Sequence, residues 1–315
     1  YRVTNCHGQG AETIMRAEAL FYQGHVTDAH IELERAYAQV SGNGQINMAL
    51  CCDFLSWRLS LHTDVERRYT FSERYAALLR YHDASWINIW SATSAYYHAL
   101  RGETDKIPEI FSQHRLSDIH LLAPGKPMME MIENQVYLAQ GAYAKVVGRS
   151  AELLAACEAM HYALVALHIR VQTAAAYARL GKPETAHAWL QKALSDAEPD
   201  GLVMPFAENY SLLKPLLARE TRSAFAARIT ALSEAAQARG AERLRPAAFR
   251  ALTAREFEIV ELMAQRLSNR EIAQKCYLSE GSVKQYVNQI YSKLHIEGDT
   301  RTKRAQLAAL LHEKT

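Results

Sequence analysis

A widely spaced recurrence of glycine runs through the first two thirds of this chain and limits the folds open to it. Leu-Phe-Tyr-Gln-Gly at 20–24 is followed by Ala29, Leu33 and Ala36, and Tyr-Ala-Arg-Leu-Gly at 177–181 by Ala186, Leu190 and Ala193. In both segments a small residue stands five positions after the glycine, a leucine nine after and an alanine twelve after. The same spacing puts Ile107 and Phe111 after Gly102, and Val146 and Leu153 after Gly141. Gly24, Gly102, Gly141 and Gly181 are separated by 78, 39 and 40 residues, so the first interval holds two repeats, with a turn expected near His62–Asp64.

Each unit of this pattern predicts a helical hairpin. One helix ends at the glycine, which takes up the left-handed C-cap conformation without a steric penalty. The return helix then presents its small residue where two helices approach closely. A single hairpin cannot cover its own apolar face, so neighbours must stack. These spacings resemble the tetratricopeptide repeat, lengthened by about five residues. The first and fifth copies fit well and the middle three are degenerate; an irregular helical bundle is the alternative. Either way 12–235 is expected to be helical. Only 8 prolines and 14 glycines, about 7% of the chain against roughly 12% on average, agree with that. The stack is expected to close around 199–217, through a turn at Glu-Pro-Asp-Gly 198–201 and a short helix from Met204 to Tyr210. A further helix is expected at 221–238, ended by Gly240, and Arg243 to Phe249, with Pro246, reads as a linker.

Several function classes fall away. No apolar run approaches the ~18–20 residues of a membrane helix; the most apolar stretch, Leu153 to Ile169, is interrupted by Glu158 and His161. Residues 1–10 carry no secretory signal, and a start at Tyr1 suggests a segment of a longer or processed polypeptide. Cys6, Cys51, Cys52, Cys157 and Cys276 are irregularly spaced, with no Cys-x-x-Cys pair, which points to a reducing, cytoplasmic setting. Cys157 and His161 share a helix face by coincidence rather than as a metal site. The histidines are scattered, and no Ser/His/Asp order, paired carboxylates or glycine-rich phosphate loop is readable. Neither catalysis nor a cofactor is expected.

The C-terminal seventy residues are more specific. The net charge of +2 is uneven: 246–315 holds 11 Lys and Arg against 8 Asp and Glu. A mildly basic tail on a neutral body suits a polyanion. Thr253-Ala-Arg-Glu256 reads as a capping box, followed by an apolar stripe of Phe257, Val260, Leu262, Met263 and Leu267. Asn269 is expected to cap a second helix whose Ile272, Ala273 and Cys276 face inward. After a turn at Cys276–Leu278, Ser279 caps a helix from Glu280 to Leu294 with a buried seam of Val283, Val287, Ile290 and Leu294. Its other face offers Lys284, Gln285, Asn288, Gln289 and Ser292, amides and a cation without a carboxylate. Such a face presents donors and acceptors to base edges without repelling phosphate. Two short capped helices joined by a tight turn make a helix-turn-helix.

Residues 252–294 resemble the LuxR-type DNA-binding domain of bacterial transcription regulators. The matching blocks are Leu252-Thr253-x-Arg255-Glu256, Ser268-Asn269-x-Glu271-Ile272-Ala273, Ser279-x-x-Ser282-Val283-Lys284 and Asn288-x-Ile290-Tyr291-x-Lys293-Leu294. The resemblance implies a four-helix domain that binds double-stranded DNA. Its third helix would lie in the major groove, and its last helix, here roughly Arg301 to His312, often forms a homodimer. By position, Lys284, Gln285 and Asn288 would face bases, while Ser279, Ser282, Lys293 and Asn269 would hold phosphates. Four departures stand out: Arg266 and Tyr277 at positions usually given to glycine, Tyr286 in place of a common histidine, and a longer connection over His295–Lys303 that carries Arg301, Lys303 and Arg304.

A helical-repeat body ahead of such a tail also resembles the large MalT-like regulators, in which an ATPase module precedes the repeats. No phosphate loop is present here, so the chain would correspond to their sensor and output parts. The expected organisation is all-α: a tetratricopeptide-like helical-repeat solenoid over 1–240, a linker over 241–251 and a four-helix LuxR-type domain over 252–315. The solenoid would bind a small-molecule or protein effector, with Trp57, Trp86, Trp90 and Tyr97 as groove candidates that inter-repeat packing equally explains. The alternative function is an interaction scaffold whose C-terminal helices bind protein.

Overall fold

The computed structural model describes residues 8–41, 45–64, 67–81, 84–119, 123–244 and 247–312, whose regular elements are all helical, with no strand among them. The chain divides into an N-terminal unit, Tyr1–Ala236, and a C-terminal unit, Gln237–Thr315. The N-terminal unit contains α1 (Ala11–Tyr22), α2 (Val26–Ser41), α3 (Ile46–Leu59), α4 (Phe71–Leu78), α5 (Ala84–Leu100), α6 (Glu109–Ser112), α7 (Lys126–Ala139), α8 (Tyr143–Ala159), α9 (Ala163–Arg179), α10 (Pro183–Ala197), α11 (Met204–Glu208) and α12 (Tyr210–Leu217). The unit boundary falls within α13 (Ala224–Leu244). The C-terminal unit adds α14 (Ala254–Ala264), α15 (Asn269–Cys276), α16 (Glu280–Lys293) and α17 (Thr300–His312).

The glycine spacing corresponds to hairpin turns. Gly24, Gly102, Gly141 and Gly181 all have positive φ, between 69° and 80°. The pairs α1/α2, α7/α8 and α9/α10 pack as consecutive neighbours, as do α8 and α9. Every residue placed by the spacing is buried: Ala29, Leu33 and Ala36; Ile107 and Phe111; Val146 and Leu153; Ala186, Leu190 and Ala193. The hairpin after Gly102 is degenerate in geometry too. Its return arm breaks into single turns around α6, because Pro108, at the N-cap of α6, has no N–H to continue a helical ladder. Near His62 the chain leaves α3 and turns before α4, as the doubled interval requires.

The ends of the N-terminal unit meet, which local spacing did not reveal. Gly24 is needed twice over: its φ is +80°, and a Cβ there would stand 2.8 Å from Val203 and 3.1 Å from Leu232. Gln23 donates to the carbonyl of Asp200 at 3.3 Å, and Arg228 donates to that of Gln23. The α11 and α12 helices pack on α9, and α11 touches α1. At this closure the Arg58 guanidinium clasps the Glu208 carboxylate at 2.7 and 3.0 Å, with both side chains out of solvent. Tyr96 donates to the same carboxylate at 2.8 Å, and Arg58 donates to the Tyr22 hydroxyl at 2.9 Å. Burial alone would raise the Glu208 carboxyl, but the Arg58 charge outweighs it and holds the group below its ordinary value.

Three expectations need correction. Trp57 and Tyr97 do not line an open groove: both are buried, Trp57 stacked on Phe71 and Tyr97 edge-on to both rings, while half-buried Trp90 donates its indole N–H to the Phe71 carbonyl at 3.1 Å. Trp86 is half-buried as well. The helix expected to end at Gly240 runs on to Leu244, since an interior glycine costs only about 1 kcal/mol against alanine and need not stop a helix. The presumed linker 241–251 therefore begins in helix and ends in a short turn whose Phe249 is fully buried in the C-terminal unit; Pro246 lies outside the described residues. No described helix is long and apolar enough to cross a membrane.

Candidate nucleic-acid interface

The C-terminal unit is held by one core to which all four helices contribute: Leu252, Ile259, Val260, Met263, Ile272, Ala273, Cys276, Val283, Ile290 and Leu307 among others. Its helices start with side-chain caps. Thr253 accepts from the Glu256 amide while the Glu256 carboxylate accepts from the Thr253 amide at 2.7 Å, the reciprocal box expected from the sequence. The same box opens α15, but with Ser268 and Glu271 as partners. Asn269 is thus the first helical residue rather than the cap. Ser279 caps α16, its hydroxyl accepting from the Ser282 amide at 3.1 Å and lying 2.8 Å from the Ser282 hydroxyl.

Three of these helices end in a left-handed residue that is not glycine: Arg266 (φ 63°), Tyr277 (φ 54°) and His295 (φ 52°). In each case the following amide reaches back five residues, Leu267 to Leu262, Leu278 to Ala273 and Ile296 to Tyr291. That residue is apolar and packs on the core, which is the Schellman arrangement. Arg255 donates to the Cys276 carbonyl, so the turn between α15 and α16 is tied down from outside.

The turn orients α16. Val283 and Ile290 are fully buried, and Val287 and Leu294 partly so, which accounts for the expected seam. Lys284, Gln285, Asn288, Gln289 and Ser292 are exposed, as is Ser279, while Ser282 and Asn269 are half-buried. One expectation about this face fails: the Glu280 carboxylate, one turn earlier, lies 3.7 Å from the Lys284 ammonium. Both groups are more than half exposed, so the pair is weak and readily exchanged for another anion. Lys293 has a different setting. Its ammonium bonds Glu256 at 2.8 Å, and that carboxylate is only 3% exposed. Burial would raise the Glu256 carboxyl, but Lys293 and the Thr253 amide and hydroxyl together keep it below its ordinary value.

This arrangement has a counterpart among known proteins. Residues 250–305 match the family model described as bacterial regulatory proteins, luxR family. Residues 250–305 are a LuxR-family helix-turn-helix domain. The chain is also similar to the transcriptional regulatory protein LnrK of Bacillus subtilis (strain 168), 44% identical over 50 residues. That stretch is 16% of this chain and 23% of the relative, so the chain spans about a quarter of the length of the curated relative it matches. No solved structure matches the chain. In the LuxR-family domain the added basic residues of the last connection are partly used within the fold. Lys303 lies over the Tyr291 ring at 5.5 Å and Arg304 reaches the Leu267 carbonyl at 3.4 Å. Sequence reasoning missed the Lys293–Glu256 bond, which joins residues on different helices and carries no local spacing signal. It also missed Ser268 as the cap, although Ser268-x-x-Glu271 was visible.

Proposed function

We propose that this chain is a bacterial transcription regulator that binds double-stranded DNA through the exposed face of α16. The observation that carries this is the pairing of a rigidly capped helix with an open face of amides and one lightly held cation. Lys284, Gln285 and Asn288 are placed to meet base edges in the major groove, where a good bidentate contact is worth about 1–3 kcal/mol of discrimination. The Ser279 and Ser282 hydroxyls and Asn269 supply phosphate contacts that set register without reading sequence. Lys293 adds positive charge nearby while remaining bonded to Glu256. Membership of residues 250–305 in the LuxR family, and the transcriptional role in the relative's name, support the same conclusion.

The N-terminal unit, in this proposal, is a tetratricopeptide-like repeat that senses a small-molecule or protein effector, as in MalT-like regulators, and the protein works in the cytoplasm as a homodimer without catalysis. The buried spacing residues and the left-handed glycines support the repeat assignment. An effector regulates only if it binds one arrangement of the protein more tightly than another. The test is binding of the full chain to duplex across a salt series. Duplex binding requires log affinity to fall linearly with log salt, by about 0.9 per phosphate neutralised. Salt-independent binding, or none, would favour a scaffold whose C-terminal helices engage protein.

A further inference from the structure

Tyr277 is 96% exposed, yet its backbone is held in a conformation that bulky residues avoid, φ 54° and ψ 43°. The other aromatic residues of the C-terminal unit, Phe249, Phe257, Tyr286 and Tyr291, all contribute to its core. The turn around Tyr277 is fixed by the Leu278 amide on the Ala273 carbonyl at 2.9 Å and by Arg255 on the Cys276 carbonyl. Arg266 and His295 share this left-handed backbone, but among the aromatic residues of the unit Tyr277 alone leaves its ring in solvent, on a turn that is held in place. The exposed residues beside it in sequence, Gln274, Lys275, Ser279 and Glu280, are polar. Two residues further on is Ser279, the cap of α16, which places the Tyr277 backbone within about 7 Å of the start of that helix.

We propose that Tyr277 is a further duplex-contacting residue, its phenol donating a hydrogen bond to a backbone phosphate beside the bases that α16 meets. This rests on the proposal that α16 binds duplex DNA. Because the turn is already ordered, fixing the ring restricts only its two side-chain torsions. A phenol is uncharged and releases no counterion, so its contribution differs in kind from that of a lysine: it raises affinity without steepening the salt dependence.

The experiment titrates the full chain into a fluorescently labelled mixed-sequence duplex about three helical turns long, read by anisotropy across a potassium chloride series. Tyr277→Phe and Tyr277→Ala are expected to bind about three- to tenfold more weakly, the worth of one hydrogen bond, on lines parallel to that of the unaltered chain. Loss of a phosphate-contacting cation would instead lower the slope by about 1. If Tyr277→Phe binds as tightly as the unaltered chain, the phosphate contact is refuted while duplex binding stands. If the unaltered chain does not bind, the duplex proposal itself falls, and this inference with it.

Discussion

Lys284 and Lys293 lie on one helix, and their surroundings separate their roles. Lys284 has only an exposed carboxylate nearby, so Lys284→Ala is expected to weaken duplex binding while leaving stability within about 0.5 kcal/mol. Lys293→Ala strips a buried carboxylate of its charged partner and is expected to cost about 1 kcal/mol, softened because the ammonium is 40% exposed and the Thr253 bonds remain. Thermal denaturation beside the binding titration separates the two; a stability loss at Lys284 would mean that its side of α16 is buried. Tyr277→Gly relieves a left-handed tyrosine and is expected to raise stability by up to about 1 kcal/mol, measured by urea unfolding. At this scale the sequence was informative wherever residue type alone settles the matter, as with an amide-rich helix face. It was silent on the Lys293–Glu256 bond, whose partners are distant along the chain.

Among the helices, the ends were legible when glycine marked them. Gly24, Gly102, Gly141 and Gly181 announced four turns, and the structure gives each a positive φ. His114, His161 and His295 adopt the same conformation with no such signal, so His161, expected to share a helix face with Cys157, stands instead in the turn between α8 and α9. Gly240 shows the converse, a glycine that ends nothing. The N-cap of α15 was misplaced by one residue because Ser268 and Asn269 are both good caps; the glutamate three residues after the serine decides between them. Packing between helices makes a direct prediction. Ala186 is fully buried at the close approach that the repeat spacing identified, so Ala186→Trp is expected to lower stability by about 1–3 kcal/mol or more, read as a lower melting temperature. An unchanged melting temperature would count against the repeat register.

For the molecule as a whole, the unforeseen feature is the contact between the first helices of the N-terminal unit and its last ones. The Arg58–Glu208 pair and the packing of Gly24 against Val203 and Leu232 join residues far apart in the chain, and neither periodicity nor caps can announce such contacts. Beside that pair His168 is fully buried, and burial pushes its imidazole down to about 4. The unfolded chain takes up this proton near pH 6.5 and the folded chain only near 4. Stability from this group is therefore complete above 6.5 and is lost as pH falls through that window, by up to about 1.4 kcal/mol per pH unit. His168→Gln is expected to flatten this part of the acid dependence; denaturation of both proteins at several pH values checks it, and parallel curves would refute it. Whether the open face of α16 lies in the major groove of a duplex is read by dimethyl sulfate footprinting of the full chain on the tightest-binding duplex selected from a random pool. Guanine N7 faces the major groove, so N7 protection is expected across the bound site, with Lys284→Ala restoring reactivity at one position. A duplex that is bound while every guanine N7 stays reactive would contradict it.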